Sequence, residues 1–320
     1  MMINWGVIGF GRMGKQYVDC LKIKSDLFKL SGISSKTGSH IKGFDFYKSY
    51  EELIKLKEID AIYISTLNNT HKDLVILANN YNKKILCEKP LGMNYLEVKE
   101  LHSLLVKKKE NFLEAIAYRA HPITSMIFEI LSDKEVGQIK KIESSFGFKV
   151  KKIKKESRLF NKDVGGGAIL DLGCYPISFF NLFNKKKNIK IIKSNFELCE
   201  TDVDIDGEIS LKIDNKIDAI GKVSLRENLE NKCRIYCENA LITIPSPWLP
   251  SNKTFIEIET KSRYFKKLLF SDKNVYQHLV EESSIFFSKK NKKTNFLVDI
   301  EESLKISEII ELWKNKRNSI

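Results

Sequence analysis

Ile3-Asn4-Trp5-Gly6-Val7-Ile8-Gly9-Phe10-Gly11-Arg12-Met13-Gly14 is the stretch that decides the fold. An apolar run of strand length ends on glycines spaced Gly-x-Gly-x-x-Gly, and apolar residues at helical spacing follow over 15–24. Strand, glycine turn and helix in that order form a dinucleotide-binding fingerprint. Gly9 permits the tight turn, Gly11 lets the backbone approach a pyrophosphate, and Gly14 allows helix and strand to pack closely. The phosphates would lie over unpaired N–H groups at the helix start, with Phe10, Arg12 and Met13 completing the cofactor turn.

Outward from that turn the pattern alternates. Strands are expected over 27–34, 60–65, 84–88 and 111–117. Between them, Ser49-Tyr50-Glu51-Glu52 reads as a capping box, Thr70 as a helix cap, and Asn94 with Glu97 as the cap of a helix over 94–109. Alternation of this kind imposes parallel pairing through right-handed crossovers. Past residue 120 a helix over 122–132 is followed by period-2 strands at 141–150, 190–198, 205–213, 216–225, 232–238, 240–244 and 255–260. A helix over 168–183 interrupts them, and helices over 275–287 and 299–314 close the chain. The expected fold is α/β. An N-terminal Rossmann domain (1–120, NAD(P)-binding) carries a doubly wound parallel sheet, and a C-terminal α+β domain (121–320, substrate-binding and oligomerisation) carries a mostly antiparallel sheet.

Composition excludes several classes. No stretch approaches the ~20 apolar residues that cross a bilayer, and the start lacks a basic leader, so the chain reads as cytoplasmic and without a membrane partner. The six cysteines are scattered and are expected to be free thiols. Cys233 and Cys237 lack the further ligands that a zinc site needs, so no metal is expected. The net charge of +13 is nearly all Lys, spread along the chain. Runs such as 107–109, 185–187 and 289–290 sit at helix ends, where the helix dipole favours cations. Nucleic-acid binders instead concentrate charge with aromatic residues between, so no nucleic-acid partner is expected.

The end of the second strand reads Ser34-Ser35-Lys36-Thr37. NAD sites usually place an acidic residue here for the ribose 2′-hydroxyl. Hydroxyls and a cation receive a 2′-phosphate better, so the reading is NADP in preference to NAD. Polar residues also interrupt three other segments at the carboxyl edge of the sheet, where open α/β proteins bind ligands. These are 65–71 (Ser-Thr-Leu-Asn-Asn-Thr-His), 87–90 (Cys-Glu-Lys-Pro) and 114–122 (Glu-Ala-Ile-Ala-Tyr-Arg-Ala-His-Pro). A fourth, Gly165-Gly166-Gly167 leading to Asp171 and Tyr175, lies beyond the boundary.

In this order the segments resemble the Gfo/Idh/MocA oxidoreductases over nearly the whole chain. They look most like the glucose–fructose oxidoreductase and dihydrodiol or xylose dehydrogenase branch. The glycine fingerprint, Glu88-Lys89-Pro90 and the glycine run to Asp171 and Tyr175 carry the resemblance. It implies that Lys89 and Tyr175 form the catalytic pair, with Asp171 orienting Lys89 or a substrate hydroxyl. The chemistry agrees: moving hydride at an alcohol carbon needs an acid/base, and a Lys cation favours the phenolate of a Tyr whose unperturbed pKa is about 10. It also implies cofactor contacts at Thr66, Leu67, Asn68, His71, Glu88 and Lys89. Arg119, His121, Asp171 and Tyr175 would bind the substrate, although an ion pair explains Arg119 equally. The glycine run is read as letting backbone approach nicotinamide or substrate. Leu67 stands where many relatives have Pro.

The function expected is NAD(P)-dependent oxidation or reduction at a secondary alcohol or carbonyl of a sugar, sugar derivative or cyclic diol. The alternatives are a cofactor-retaining hydrolase or epimerase working by transient oxidation, or a non-catalytic cofactor-binding protein. The expected partners are a carbohydrate-like small molecule and further copies of the chain, as a dimer or tetramer.

Overall fold

A computed structural model of the chain describes residues 2–36, 43–184, 188–288 and 296–315. Thr37 and the lysine runs at 185–187 and 289–290 lie outside the described residues. Strands β1 (Ile3–Ile8), β2 (Phe28–Ser34), β3 (Phe46–Tyr47), β4 (Ala61–Ile64), β5 (Lys84–Glu88) and β6 (Phe112–Ala115) form one sheet in the order β3-β2-β1-β4-β5-β6. Every pairing among these strands is parallel. Helices α1 (Arg12–Leu21), α2 (Tyr50–Lys55), α3 (His71–Asn80) and α4 (Tyr95–Leu105) make the crossovers. All four residues of β4 are buried, as a strand covered on both faces requires.

Helix α5 (Pro122–Leu131) leads into β7 (Ile139–Gly147), and α6 (Ala168–Leu172) and α7 (Cys174–Asn181) follow. The remaining strands are β8 (Ile189–Leu198), β9 (Asp204–Ile213), β10 (Ile217–Ser224), β11 (Lys232–Cys237), β12 (Ala240–Pro245), β13 (Lys253–Thr260) and β14 (Tyr264–Phe270). They join β7 in an eight-stranded sheet, β14-β13-β12-β11-β7-β10-β9-β8. Among the described strands of this sheet, β7 and β10 pair in parallel and the other ladders are antiparallel. Along β9 buried and half-buried residues alternate, with Ile209, Leu211 and Ile213 inward, the pattern of a sheet covered on one face. Helices α8 (Val275–Ser288) and α9 (Ile300–Asn315) end the described chain.

Contacts divide the chain into two compact units: Met1–Ala120 with Tyr276–Leu304, and His121–Val275 with Lys305–Ile320. The division at residue 120 coincides with the change of pattern. The return of 276–304 to the first unit departs from the 121–320 domain read from the sequence. Its cause is long-range pairing. The buried Trp5 indole donates to Ser284 Oγ at 3.0 Å, Glu114 N donates to Val298 O at 2.8 Å, and Ile300 sits in the apolar cluster beneath the parallel sheet.

Local chemistry accounts for the element ends. Ser49 Oγ accepts from Glu52 N, and Asn94 Oδ1 accepts from Glu97 N at 3.0 Å. Thr70 is not a side-chain cap; its hydroxyl donates to Leu67 O at 2.8 Å and closes a 3-10 turn. Pro176 has no N–H to donate to the Leu172 carbonyl, one turn back. The helix read over 168–183 therefore divides into α6 and α7 at Gly173, whose φ of −64° and ψ of −25° keep the path helical.

If 276–304 completes the first core, Ile300→Ala is expected to cost about 2–5 kcal/mol of stability. Urea unfolding followed by Trp fluorescence measures this, and an unchanged midpoint would contradict the assignment.

Candidate active site

The glycine turn is built by crowding. Gly9 has φ +89°, and a Cβ there would meet Ser65 O at 2.7 Å. A Cβ on Gly14 would meet Gly9 O at 2.0 Å, so helix α1 lies against the turn at a distance only glycine allows. Gly11 faces open space, with nothing within 4 Å of its Cβ position. Hydrogen bonds tie the neighbouring strand ends to this turn: Gly9 N donates to Ser34 O at 2.9 Å, and Ser65 Oγ donates to Gly9 O at 3.0 Å. No side chain caps α1 and its first turn holds no acidic residue, which suits an anion at the helix start. The residues present therefore fit a dinucleotide pyrophosphate. Phe10 and Met13 are half-buried, while Gly11 and Arg12 are exposed.

At the end of β2, Ser34 and Ser35 are buried, and Ser34 Oγ has no hydrogen-bond partner among the described residues. Lys36 is exposed, with Nζ 5.6 Å from the Tyr50 ring centroid.

Lys89, half-buried, follows β5 on a short turn whose flanks are held by buried side chains. Tyr63 donates its hydroxyl to Glu88 Oε1. Burial, with the Glu88 carboxylate adding to it, pushes the Tyr63 phenol well above its ordinary pKa, so it stays a donor. Tyr17 stacks on Tyr63 with ring centroids 3.8 Å apart. On the other flank, His71 Nδ1 lies 2.9 Å from Pro90 O, and Leu91 N donates to Glu114 Oε1 at 3.1 Å. Burial lowers the His71 pKa, and Lys89 adds to the effect. The ring is thus neutral near pH 7, and we assign its single N–H to Nδ1 because Nε2 is 3.3 Å from Thr66 O. His71 is fully buried, so it acts as a clasp between the 66–71 and 88–91 segments. Thr66 and Asn68 are half-buried beside it, and Leu67 is 48% exposed. Leu67 has φ −74°, within the range of proline, so the departure at this position keeps the loop's backbone path.

In the second unit Asp171 and Tyr175 lie on the α6–α7 path. Tyr175 is half-buried and packs edge-on against Phe146 at 5.0 Å between centroids, with Trp248 at 5.7 Å. Asp171 is buried, and its Oδ1 accepts from Arg158 Nη1 at 2.9 Å. Asp204 Oδ2 accepts from Ile169 N at 2.5 Å and anchors the start of α6. A Cβ on Gly167, where φ is +118°, would meet Asp204 Oδ1 at 2.6 Å, and one on Gly166 would meet Asn161 N at 2.8 Å. The chain's own crowding therefore requires these glycines, a cause the sequence reading assigned to the ligand. His121 is buried at the start of α5, where Nδ1 accepts from Ile123 N at 3.2 Å.

Two family models match: the oxidoreductase family with an NAD-binding Rossmann fold over residues 3–115, and the GFO/IDH/MocA C-terminal domain over 125–243. The chain belongs to the Gfo/Idh/MocA family of oxidoreductases. It is 32% identical over 275 residues to trans-1,2-dihydrobenzene-1,2-diol dehydrogenase of Xenopus tropicalis, covering 83% of this chain and 81% of that one. The human protein of that name is 25% identical over 263 residues, covering 78% and 77%. Among solved structures, a 3-ketoreductase from Actinomadura kijaniata in complex with NADP and TDP-benzene superposes with a TM-score of 0.85, at 19% identity over 98% of both chains. An aldose-aldose oxidoreductase from Caulobacter crescentus gives 0.83 at 14% identity, over 98% and 97%. As a Gfo/Idh/MocA member the chain is an NAD(P)-dependent oxidoreductase, and among the described residues no helix is long and apolar enough to cross a membrane.

Arg119 is the site residue whose reading changes. Only 4% of it is exposed, Nη1 and Nη2 donate to the two Glu302 oxygens at 2.7 and 3.0 Å, and Nε donates to Phe296 O at 2.6 Å. The guanidinium is committed to this fork, so the ion-pair alternative accounts for it. Sequence reasoning missed Tyr63, Arg158 and Asp204, and it gave Glu114 no role of its own within the 114–122 segment. Tyr63 and Glu114 left a signal, a polar group inside an apolar strand; Arg158 and Asp204 owe their parts to long-range contacts.

Gly14→Ala is expected to weaken NADPH binding by about tenfold or more, because the Cβ would drive α1 off the turn. Titration of NADPH fluorescence checks this, and unchanged affinity would refute the close-packing argument.

Proposed function

We propose that the protein moves hydride between a nicotinamide cofactor, NADP in preference to NAD, and a secondary alcohol or carbonyl of a sugar, sugar derivative or cyclic diol. Tyr175 is the acid/base and Lys89 assists it. The observation that carries this reading is the restrained turn of Lys89 at the carboxyl end of a parallel strand, in the same sheet as the glycine turn. The diol named for the dihydrodiol dehydrogenases and the keto and aldose substrates of the two solved enzymes share the CH–OH/C=O centre that this chemistry needs.

The bound nicotinamide supplies or takes the hydride. Tyr175 takes the hydroxyl proton during oxidation and returns it during reduction. The Lys89 ammonium favours the phenolate and orients the reacting oxygen. Asp171, fixed by Arg158, orients a substrate hydroxyl. Main-chain and side-chain groups of Gly9, Phe10, Gly11, Arg12, Met13 and Gly14 hold the pyrophosphate. Ser34, Ser35 and Lys36 hold a 2′-phosphate, and the Ser34 hydroxyl, without a partner among the described residues, favours this because a buried donor needs an acceptor. Thr66, Leu67, Asn68 and Glu88 line the cofactor, and His121 remains with the substrate group. The same reading includes a homo-oligomer. Leu268 and Phe270 of the edge strand β14 are 58% and 67% exposed, apolar surface that self-association would cover.

Tyr175→Phe is expected to lower kcat by about 10²–10⁴ while NADPH binding is kept, and Lys89→Ala to lower kcat as much and weaken NADPH binding too. Coenzyme absorbance with a panel of aldoses, inositols, dihydrodiols and sugar nucleotides is the measurement, and full activity in Tyr175→Phe would remove the acid/base assignment. Lys36→Ala is expected to raise the KM for NADPH several-fold and leave that for NADH unchanged. Equal effects on both coenzymes would refute the 2′-phosphate role.

A further inference from the structure

Glu114 is a carboxylate in a strand that otherwise reads Phe112-Leu113 and Ala115, and it is 4% exposed. A buried carboxylate without a task is costly. Its backbone is already used, since N donates to Val298 O at 2.8 Å. Its side chain reaches sideways to the neighbouring strand, where Oε1 accepts from Leu91 N at 3.1 Å, two residues after Lys89. The charged and titratable groups around it come from each adjoining element. Cys87, which precedes Glu88 on β5, and Lys89 on the turn face it from one side. From α9 it has Glu302, whose carboxylate Arg119 forks, and the Ser303 hydroxyl. Among these, Lys89 is the cation that bears on the Glu114 pKa, more weakly than burial, Ser303, Leu91 and Glu302 do.

We propose that Glu114 is a positioning residue for Lys89: as a carboxylate it fixes the Leu91 amide and attracts the ammonium, holding the turn in its working register. This rests on the assignment of Lys89 as the group that assists Tyr175. Burial, with Glu302 adding to it, raises the Glu114 pKa to about 7 against the downward pull of the Ser303 hydroxyl, the Leu91 amide and, last, Lys89. The sign follows: as pH rises through about 7 the group ionises, gains its hold on Lys89, and kcat rises with it. Below that range the neutral carboxyl keeps its carbonyl oxygen for Leu91 but loses the attraction. A residue that served packing alone would leave no mark on the pH profile.

The test compares wild type, Glu114→Gln, Glu114→Ala and Lys89→Ala, each verified by thermal melting and NADPH fluorescence. Glu114→Gln keeps an acceptor and removes the charge. It is expected to lower kcat by about tenfold to a hundredfold, change substrate KM little, and erase the rise in kcat near neutral pH. Glu114→Ala is expected to speed hydrogen exchange in the cofactor-free peptide spanning residues 88–93. If Glu114→Ala does not fold, the pH profile of Glu114→Gln decides. Wild-type kcat and an unaltered profile in Glu114→Gln, beside an inactive Lys89→Ala, would overturn this proposal and leave the Lys89 assignment standing. Full activity in Lys89→Ala would overturn both.

Discussion

The turn from Glu88 to Leu91 is gripped by three buried side chains that belong to three different elements. Tyr63 reaches it from β4, His71 from α3 and Glu114 from β6, and each makes one polar contact on a flank of Lys89. Buried hydrogen bonds contribute mainly through the penalty of leaving a partner unmade. Movement of the turn would strand a phenol, an imidazole N–H and a peptide N–H at once. A flexible lysine side chain thereby starts from a nearly fixed backbone. This is the form of restraint that gives a positioned group its advantage over one that must first be ordered.

The second unit applies the same logic to a helix. Asp204, from the first residue of β9, supplies the acceptor that the start of α6 lacks in its own sequence, and Gly167 before it leaves room for that carboxylate. Arg158 fixes Asp171 four residues ahead of Tyr175, and Phe146 and Trp248 fix the phenol ring. Packing directs the ring and charge directs the acid beside it.

How much of this was legible depended on whether the cause was local. The glycine spacing at 9–14, the Ser49 and Asn94 caps and the strand at 84–88 answer to neighbours within a few residues, and the structure has them as read. The two-residue β3 carries too little pattern to announce itself, and β14 has Lys266 and Lys267 at its centre with aromatic and aliphatic residues on either side, a sequence that alternation does not mark as a strand. Arg119 beside a cleft-like motif suggested a ligand because Glu302 lies 183 residues away. Gly167, in a run read as making room for nicotinamide or substrate, misled for the same reason: Asp204 was invisible as its neighbour.

Because Val298 pairs with β6 and Ile300 enters the core under the parallel sheet, the first unit draws on two stretches of chain separated by the whole eight-stranded sheet. During synthesis, the ribosome delivers the nucleotide-binding strands long before the segment that seals them. At about 5–20 residues per second, the interval is on the order of 10 s to half a minute. Through that interval the β6 edge lacks its last partner, and the second unit in turn awaits its own closing segment at 305–320. The dinucleotide fold thus becomes whole only after every strand of the second sheet has been made.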